Sequence, residues 1–237
     1  LELKKNRKAD KVFLAEGPKL VGDLLGHFRC RFLIATAEWL SAHRHLAVED
    51  VTEVSEEELS RASLLKTPQQ VLAVFEQPDE SVDISVISRS LCLALDDVQD
   101  PGNLGAVLRT AEALGLSGVL LAGNCCDVYS PKVLRASMGA VFRLPFRSVE
   151  RLADAAPTLR QIGFALYAAV PDRTAKRVTE LSFEKPSIIA VGNEGNGLEA
   201  ETVAACGQAV TIPMRGRAES LNAAASAAIL MWELMRD

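Results

Sequence analysis

The sequence predicts an α/β protein, a mostly parallel sheet covered on both faces and preceded by a smaller αβ unit. Three observations carry this. From residue 91 onward apolar strands alternate with helical segments, the order that builds parallel sheets. Before that, residues 79–90 are polar and serine-containing, which reads as a linker. The 237 residues are 49% hydrophobic and 24% charged, enough for one moderate core and a companion, and this balance excludes general disorder. The expected organisation is a first domain over residues 1–78, a linker over 79–90 and a second domain over 91–237.

In the first domain, Phe13, Leu14 and Ala15 form a strand that runs through Glu16 and Gly17 into a helix opened by Pro18, since proline is tolerated at the first helical position. Residues 31–35 make a second short strand. Ser55 with Glu58 three residues on is a capping box, and residues 70–75 form a last strand before Gln77 and Pro78 break the pattern. Lys4, Lys5, Arg7, Lys8, Lys11, Lys19, Arg29 and Arg31 make this end basic, whereas Glu49, Asp50, Glu53, Glu56, Glu57 and Glu58 follow as an acidic block. The whole chain carries a net charge of -5, which counts against a nucleic-acid partner, while the basic end can still meet phosphate. A solvated helix face explains the same cluster equally well.

The second domain reads as strand 91–95, helix 104–114, strand 118–122, helix 131–139, strand 141–144 and helix 149–161. Strands 164–169 and 187–191, helix 199–205, strand 209–213 and a long final helix over 220–236 complete it. Cys30, Cys92, Cys125, Cys126 and Cys206 are odd in number and lack a paired spacing. They predict free thiols in a reducing compartment, the cytoplasm or an organelle matrix, and neither a disulfide framework nor zinc. His43 and His45 are expected on a solvated loop, with no metal. No apolar run is long enough for a membrane span. The chain opens on Leu1, so native residues are expected ahead of it.

Three segments carry chemistry, and each is a strand, a loop and a helix. In the first, Pro101 and Gly102 make the turn, Asn103 is the expected N-cap, and Leu104, Val107, Leu108, Ala111 and Leu114 recur at helical spacing as the buried stripe. Arg109 falls outside that stripe and needs a partner, a carboxylate or a phosphate. In the second, Gly192, Gly195 and Gly197 follow an apolar strand and surround Glu194, presenting a carboxylate at the mouth of the sheet, where α/β proteins bind ligands. The spacing is not that of a dinucleotide fingerprint. In the third, Ile212, Pro213, Met214, Arg215, Gly216 and Arg217 lead to Ser220, the expected cap of the last helix, and to Asn222, which offers polar contacts from its first turn. The alanine-rich helix behind them suits close packing in a core or at a subunit interface.

Together, and in this order, the segments resemble the three motifs of the SpoU (TrmH) family of knotted SPOUT-class RNA methyltransferases. Residues 103–111, 192–198 and 212–222 align without a gap, and the resemblance covers residues 91–237. The first domain, with Phe13 to Gly17 and Thr67, Pro68 and Gln69, resembles the family's substrate-binding domain. Ala223 and Ala224 depart slightly from the residues common there. The resemblance implies a deep C-terminal trefoil knot, against the general rule that chains do not thread loops. It also implies a homodimer formed through the C-terminal domain, S-adenosyl-L-methionine as cofactor, and an RNA substrate. By position it assigns Gly192, Ile212, Met214 and Leu221 to the cofactor, and Asn103, Arg109, Glu194, Ser220 and Asn222 to the catalytic site. The implied reaction is methyl transfer to a ribose 2′-hydroxyl of ribosomal or transfer RNA, ribosomal RNA being favoured by the separate first domain.

The resemblance gives Arg109 the task of activating the hydroxyl. A guanidinium of pKa above about 12 is a poor free base, so the expected arrangement has Arg109 orient the hydroxyl beside an RNA phosphate, with phosphate or solvent taking the proton. An RNA-binding protein that keeps the fold without catalysis is the rival reading; damage to Arg109, Glu194 or Asn222 would favour it, and all three are present. Base methylation is disfavoured by the asparagine-to-arginine spacing of the first motif, and a dinucleotide oxidoreductase by its glycines.

Overall fold

Short apolar runs become buried strands in two units. The computed structural model describes residues 1–45, 48–78 and 91–236; the expected linker over 79–90 lies outside them. One unit comprises Leu1–Asp79 with Asp127–Gly139, the other Glu80–Cys126 with Ala140–Asp237.

The first unit opens with α1 (Lys4–Asp10), then β1 (Val12–Glu16), α2 (Pro18–Leu24), β2 (Cys30–Ala35), α3 (Ala37–Ala42), β3 (Val51–Glu53), α4 (Glu56–Ala62) and β4 (Val71–Glu76). Its sheet runs β1-β4-β2-β3, with β2 and β3 parallel and the other pairs antiparallel. Alternate residues face opposite sides of a strand. Val12 and Leu14 join Leu59, Leu72 and Val74 in one cluster, while Phe13 stacks between Phe75 and Tyr129 at centroid distances of 5.5 and 5.4 Å. Ser55 and Glu58 form the expected capping box on α4.

Tyr129 arrives with α6 (Pro131–Ser137), a helix that the sequence reading assigns to the second domain. Its segment is held here by Asp127, whose carboxylate accepts from Arg7 Nε at 2.9 Å and Nη2 at 2.5 Å. Arg7 is only 3% exposed and also donates to the carbonyls of Leu1 and Glu2, so it does not belong to the basic surface expected to meet phosphate. Arg29 and Arg31 are engaged too, both reaching Glu76.

The second unit contains β5 (Leu91–Asp96), α5 (Pro101–Ala113), β6 (Gly118–Ala122), β7 (Phe146–Val149), α7 (Leu152–Gln161), β8 (Ala165–Ala169), β9 (Lys176–Arg177), β10 (Ser187–Val191), α8 (Ala200–Cys206), β11 (Gln208–Thr211) and α9 (Ala223–Met235). The order β7-β6-β5-β10-β8-β11-β9 is parallel at every pairing, as the alternation predicts. β6 and β10 are buried along their whole length, which is why both read as unbroken apolar runs. On one face Leu152, Ala156, Leu159 and Cys206 of α7 and α8 pack on Cys92, Ala94, Leu120, Ile188 and Ala190. Helix α9 packs on α5, β10 and β5, and α5 buries Leu104, Val107, Leu108 and Ala111.

The strand expected over 141–144 is instead a 3-10 turn, Ala140–Phe142, and β7 begins after Pro145. Val141 in that turn and Leu144 just after it are both buried, which explains an apolar run without a strand. Two caps also differ. Asp100, not Asn103, caps α5, with Pro101 at the first helical position and the Asp100 carboxylate accepting from the Asn103 amide at 2.8 Å. Asn222, not Ser220, caps α9.

Candidate active site

In a parallel sheet, neighbouring strands deliver their following loops to the same edge. Here β5 and β10 are parallel neighbours, and β8 separates β10 from β11, so the loops at 97–100, 192–199 and 212–222 all leave from one edge. Polar side chains from all three meet there. Asn222 Nδ2 donates to Asn103 Oδ1 at 3.0 Å, and Asn103 Nδ2 donates to Glu194 Oε1 at 2.9 Å. The Glu194 carboxylate also receives the backbone amides of Asp100 and Gln99, at 3.4 and 3.5 Å. Partial burial raises the Glu194 pKa, but the Asn103 amide and the backbone N–H donors outweigh it, so the carboxyl sits below its ordinary range. Glu194 is therefore an anion at neutral pH, held by neutral donors.

The loop carrying Glu194 is closed on itself. Asn193 and Gly197 exchange backbone hydrogen bonds at 3.1 and 2.9 Å. The Asn193 side-chain oxygen accepts from the amides of Gly195 and Asn196 at 2.8 and 3.1 Å, while its Nδ2 donates to the Asp97 carbonyl at 2.9 Å. A side chain at Gly192 would overlap the Gly197 carbonyl and the Leu198 amide, so glycine at 192 is what lets the loop fold back so tightly. Asn193 and Asp97 were not among the site residues expected from sequence. Asn193 has a local signal, an Asx-type residue two before glycine, whereas the left-handed backbone of Asp97, φ 57°, is visible only in the structure.

Beside this cluster lies a cavity of about 360 Å³, lined by Gly192, Glu194, Ile212, Met214, Ser220 and Leu221 among others, within the range of about 300–1,000 Å³ typical of small-molecule sites. Of the expected residues, the four assigned to the cofactor thus share one cavity with Glu194 and Ser220. Asn103 joins through its hydrogen bond to Glu194, and Asn222 through its hydrogen bond to Asn103. Arg109 stays outside: it is exposed on α5 and, among the described residues, has no hydrogen-bond or ion-pair partner. Among those residues no three His, Cys, Asp or Glu side chains gather as they would around a metal ion; His43 stacks on Trp39 at a centroid distance of 4.0 Å. No helix among them is long and apolar enough to cross a membrane.

This arrangement has relatives. Residues 90–232 match the SpoU rRNA methylase family. The chain belongs to that family. Ahead of the SpoU region, residues 1–73 match an MRM3-like substrate binding domain. An uncharacterised tRNA/rRNA methyltransferase of Synechocystis is 39% identical over 62% of this chain and 53% of its own length, so the chain spans only about half the length of that relative. The 23S rRNA (guanosine(2553)-2′-O)-methyltransferase of Bacillus subtilis is 32% identical over 99% of this chain and 92% of its own. Among solved structures, an AdoMet-bound rRNA methyltransferase from Sinorhizobium meliloti superposes with a TM-score of 0.84 at 32% identity, covering 98% of this chain and 90% of that one.

Proposed function

We propose that this SpoU-family chain is an S-adenosyl-L-methionine-dependent methyltransferase acting on a ribose 2′-hydroxyl of RNA, ribosomal RNA in preference to transfer RNA. The observation that carries the reading is the continuous relay from Asn222 through Asn103 to Glu194 at the edge of the cofactor-sized cavity. The Bacillus subtilis relative, matched over nearly the whole chain, is a ribose methyltransferase of 23S rRNA by name, and the Sinorhizobium structure is AdoMet-bound. Both support the same activity here.

The cavity suits the cofactor. Ile212, Met214, Leu221 and Leu198 offer apolar surface, and Gly192, Gly195 and Gly197 offer backbone groups without side-chain bulk. S-adenosyl-L-methionine, when bound, supplies an electrophilic methyl group whose bond to sulfur breaks as the bond to the ribose oxygen forms. The chain's own work is to place the hydroxyl in line with that bond and remove its proton. In this reading Glu194 and Asn103 fix the edge of the site, Ser220 and Asn222 hold the last loop over it, and Arg109, without a carboxylate partner among the described residues, meets an RNA phosphate. The guanidinium orients the hydroxyl, and phosphate or solvent accepts the proton.

Two further features belong to the reading. After β11, far across the sheet from β5, the chain returns to lay α9 on α5, β10 and β5, which supports a C-terminal trefoil knot. Ile229, Trp232 and Met235 on α9 are exposed, Trp232 by 63%, and an apolar stripe of this kind supports a homodimer through this unit. The first unit would bind RNA, and the compartment would be the cytoplasm.

The test is methyl transfer from labelled S-adenosyl-L-methionine to total cellular RNA, with ribosomal and transfer fractions separated and Arg109→Ala and Arg109→Lys run alongside. Label recovered as 2′-O-methylnucleoside, predominantly in ribosomal RNA and lost with alanine, is the expected result. Label on a base would overturn the reaction assigned. Full activity with lysine over the whole pH range would overturn any role that needs the planar guanidinium.

A further inference from the structure

A second cavity, of about 500 Å³, lies wholly within the first unit. Its floor is apolar: Leu134 is buried, Leu20 and Leu65 are half-buried, and Met138 stands 50% exposed at the edge in a left-handed conformation with φ 51°. Its size fits a small organic group. Leu134 and Met138 come from the α6 segment, so the cavity does not exist in residues 1–78 alone.

The rim is cationic. Lys19, Lys66 and Arg135 are exposed around it and, among the described residues, none of the three has an acidic partner. Two carboxylates lie at the same rim. Glu16 is occupied by the Ser63 hydroxyl and by the Leu64 amide at 3.1 Å, whereas Asp23 is exposed and would oppose an anion. Gln69 contributes an amide and sits so close over Gly17 that a side chain there would overlap its Oε1 atom. An apolar slot with an amide at its edge and unpaired cations outside suits a flat heterocycle attached to phosphates.

We infer that this cavity takes one unpaired nucleotide of the RNA substrate, the base among Leu20, Leu65, Leu134 and Met138 and the flanking phosphates on Lys19, Lys66 and Arg135. The inference rests on the methyltransferase reading and deepens it. Proteins read unpaired RNA by lodging splayed-out bases against side chains and bonding their edges, and a paired base cannot leave its stack without cost. The cavity therefore selects single-stranded over duplex RNA, and α6 ties that selection to the segment following β6.

The experiment uses the full chain with an oligouridine RNA and a duplex of equal length, reading fluorescence anisotropy against salt. Methyl transfer to protein-free ribosomal RNA is followed in parallel. Lys66→Glu and Arg135→Glu are expected to weaken oligouridine binding and to lower the salt slope by about one for each phosphate left without its cation. Leu65→Asn is expected to weaken oligouridine binding several-fold with an unchanged slope, and Asp23→Asn to strengthen it. An unchanged melting curve for each variant checks that the first unit stays folded. Equal weakening of duplex and oligouridine, with Leu65→Asn silent, would overturn the nucleotide pocket in favour of a general basic patch. Normal RNA binding and methylation in every variant would also overturn it, leaving the cavity to a protein segment while the methyltransferase reading stands. Absence of both RNA binding and methyl transfer in the unaltered chain would overturn the two together.

Discussion

Asn222 and Asn103 are joined by a hydrogen bond of 3.0 Å across 119 residues of chain. The same Asn222 side chain accepts from the amides of Ala224 and Ala225 at 2.9 and 3.2 Å, so one amide group both caps α9 and holds Asn103 toward Glu194. The two tasks use different atoms, and substitution can separate them.

Asn222→Asp keeps the capping oxygen and replaces the donor with a second acceptor facing the Asn103 carbonyl. Aspartate is as good a cap as asparagine, so thermal stability should hold within about 0.5 kcal/mol. Methyl transfer should fall by roughly 10- to 100-fold as Asn103 loses its orientation. Asn222→Ala should lose activity and, in addition, about 1 kcal/mol of stability with the cap. Melting curves beside methyl-transfer rates check this; equal activity in the aspartate variant would show that only the cap matters.

The depressed pKa of Glu194 makes a signed prediction. A carboxyl whose folded pKa lies below its unfolded value of about 4.3 stabilises the loop fully above that value, and the contribution is lost as pH falls through the folded pKa. Between about pH 5.5 and 8 Glu194 stays ionised, so it should add no inflection to the rate profile. Glu194→Gln should give a profile parallel to the unaltered protein over that range, displaced downward. An inflection that disappears in the glutamine variant would mean that Glu194 titrates there and that its donors do not hold it as an anion.

Gly192→Ala should close the site by a different route. The added methyl meets the backbone at Gly197 and Leu198, which cannot rotate aside as a flexible side chain can. The loop must shift, at a cost of roughly 1–3 kcal/mol, and the displaced backbone groups line the cofactor cavity. Calorimetric titration with S-adenosyl-L-methionine should show affinity lost by at least about tenfold, a drop that Gly216→Ala, with open space around it, should not reproduce.

How much of this was legible in the sequence depends on the range of the interaction. β6 and β10 were read to the residue because strands buried on both faces are continuous apolar runs. The first cap was misplaced although Asp100 stands directly before Pro101, a local signal that outranks the asparagine two residues later. Helix α1 was legible only as one of two explanations of the basic cluster, because KKNRKAD shows no apolar period. The polar cluster was reached through motif likeness, while Asn193 and Asp97, whose bond joins two loops, carry no spacing that announces it. Least legible was the segment of α6: nothing within Asp127–Gly139 says that Arg7, 120 residues away, is its partner.

That Arg7–Asp127 pair supports the last prediction. Arg7 is 3% exposed and its guanidinium is held by Asp127 and by the carbonyls of Leu1 and Glu2. Removing the carboxylate leaves a buried cation facing only neutral acceptors, and breaking a buried pair from one side costs about 3–5 kcal/mol. Asp127→Ala should therefore destabilise the first unit by an amount of that order in urea titration, and it should free α6, since Tyr129 and Asp127 anchor the same segment. Replacing both partners, Arg7→Met with Asp127→Leu, removes the uncompensated charge and should recover much of the loss. If α6 also builds the nucleotide cavity, the alanine variant should lose oligouridine binding while the double variant regains it. Recovery of stability without recovery of binding would separate the anchor from the cavity and show that Asp127 places α6 more finely than apolar packing can.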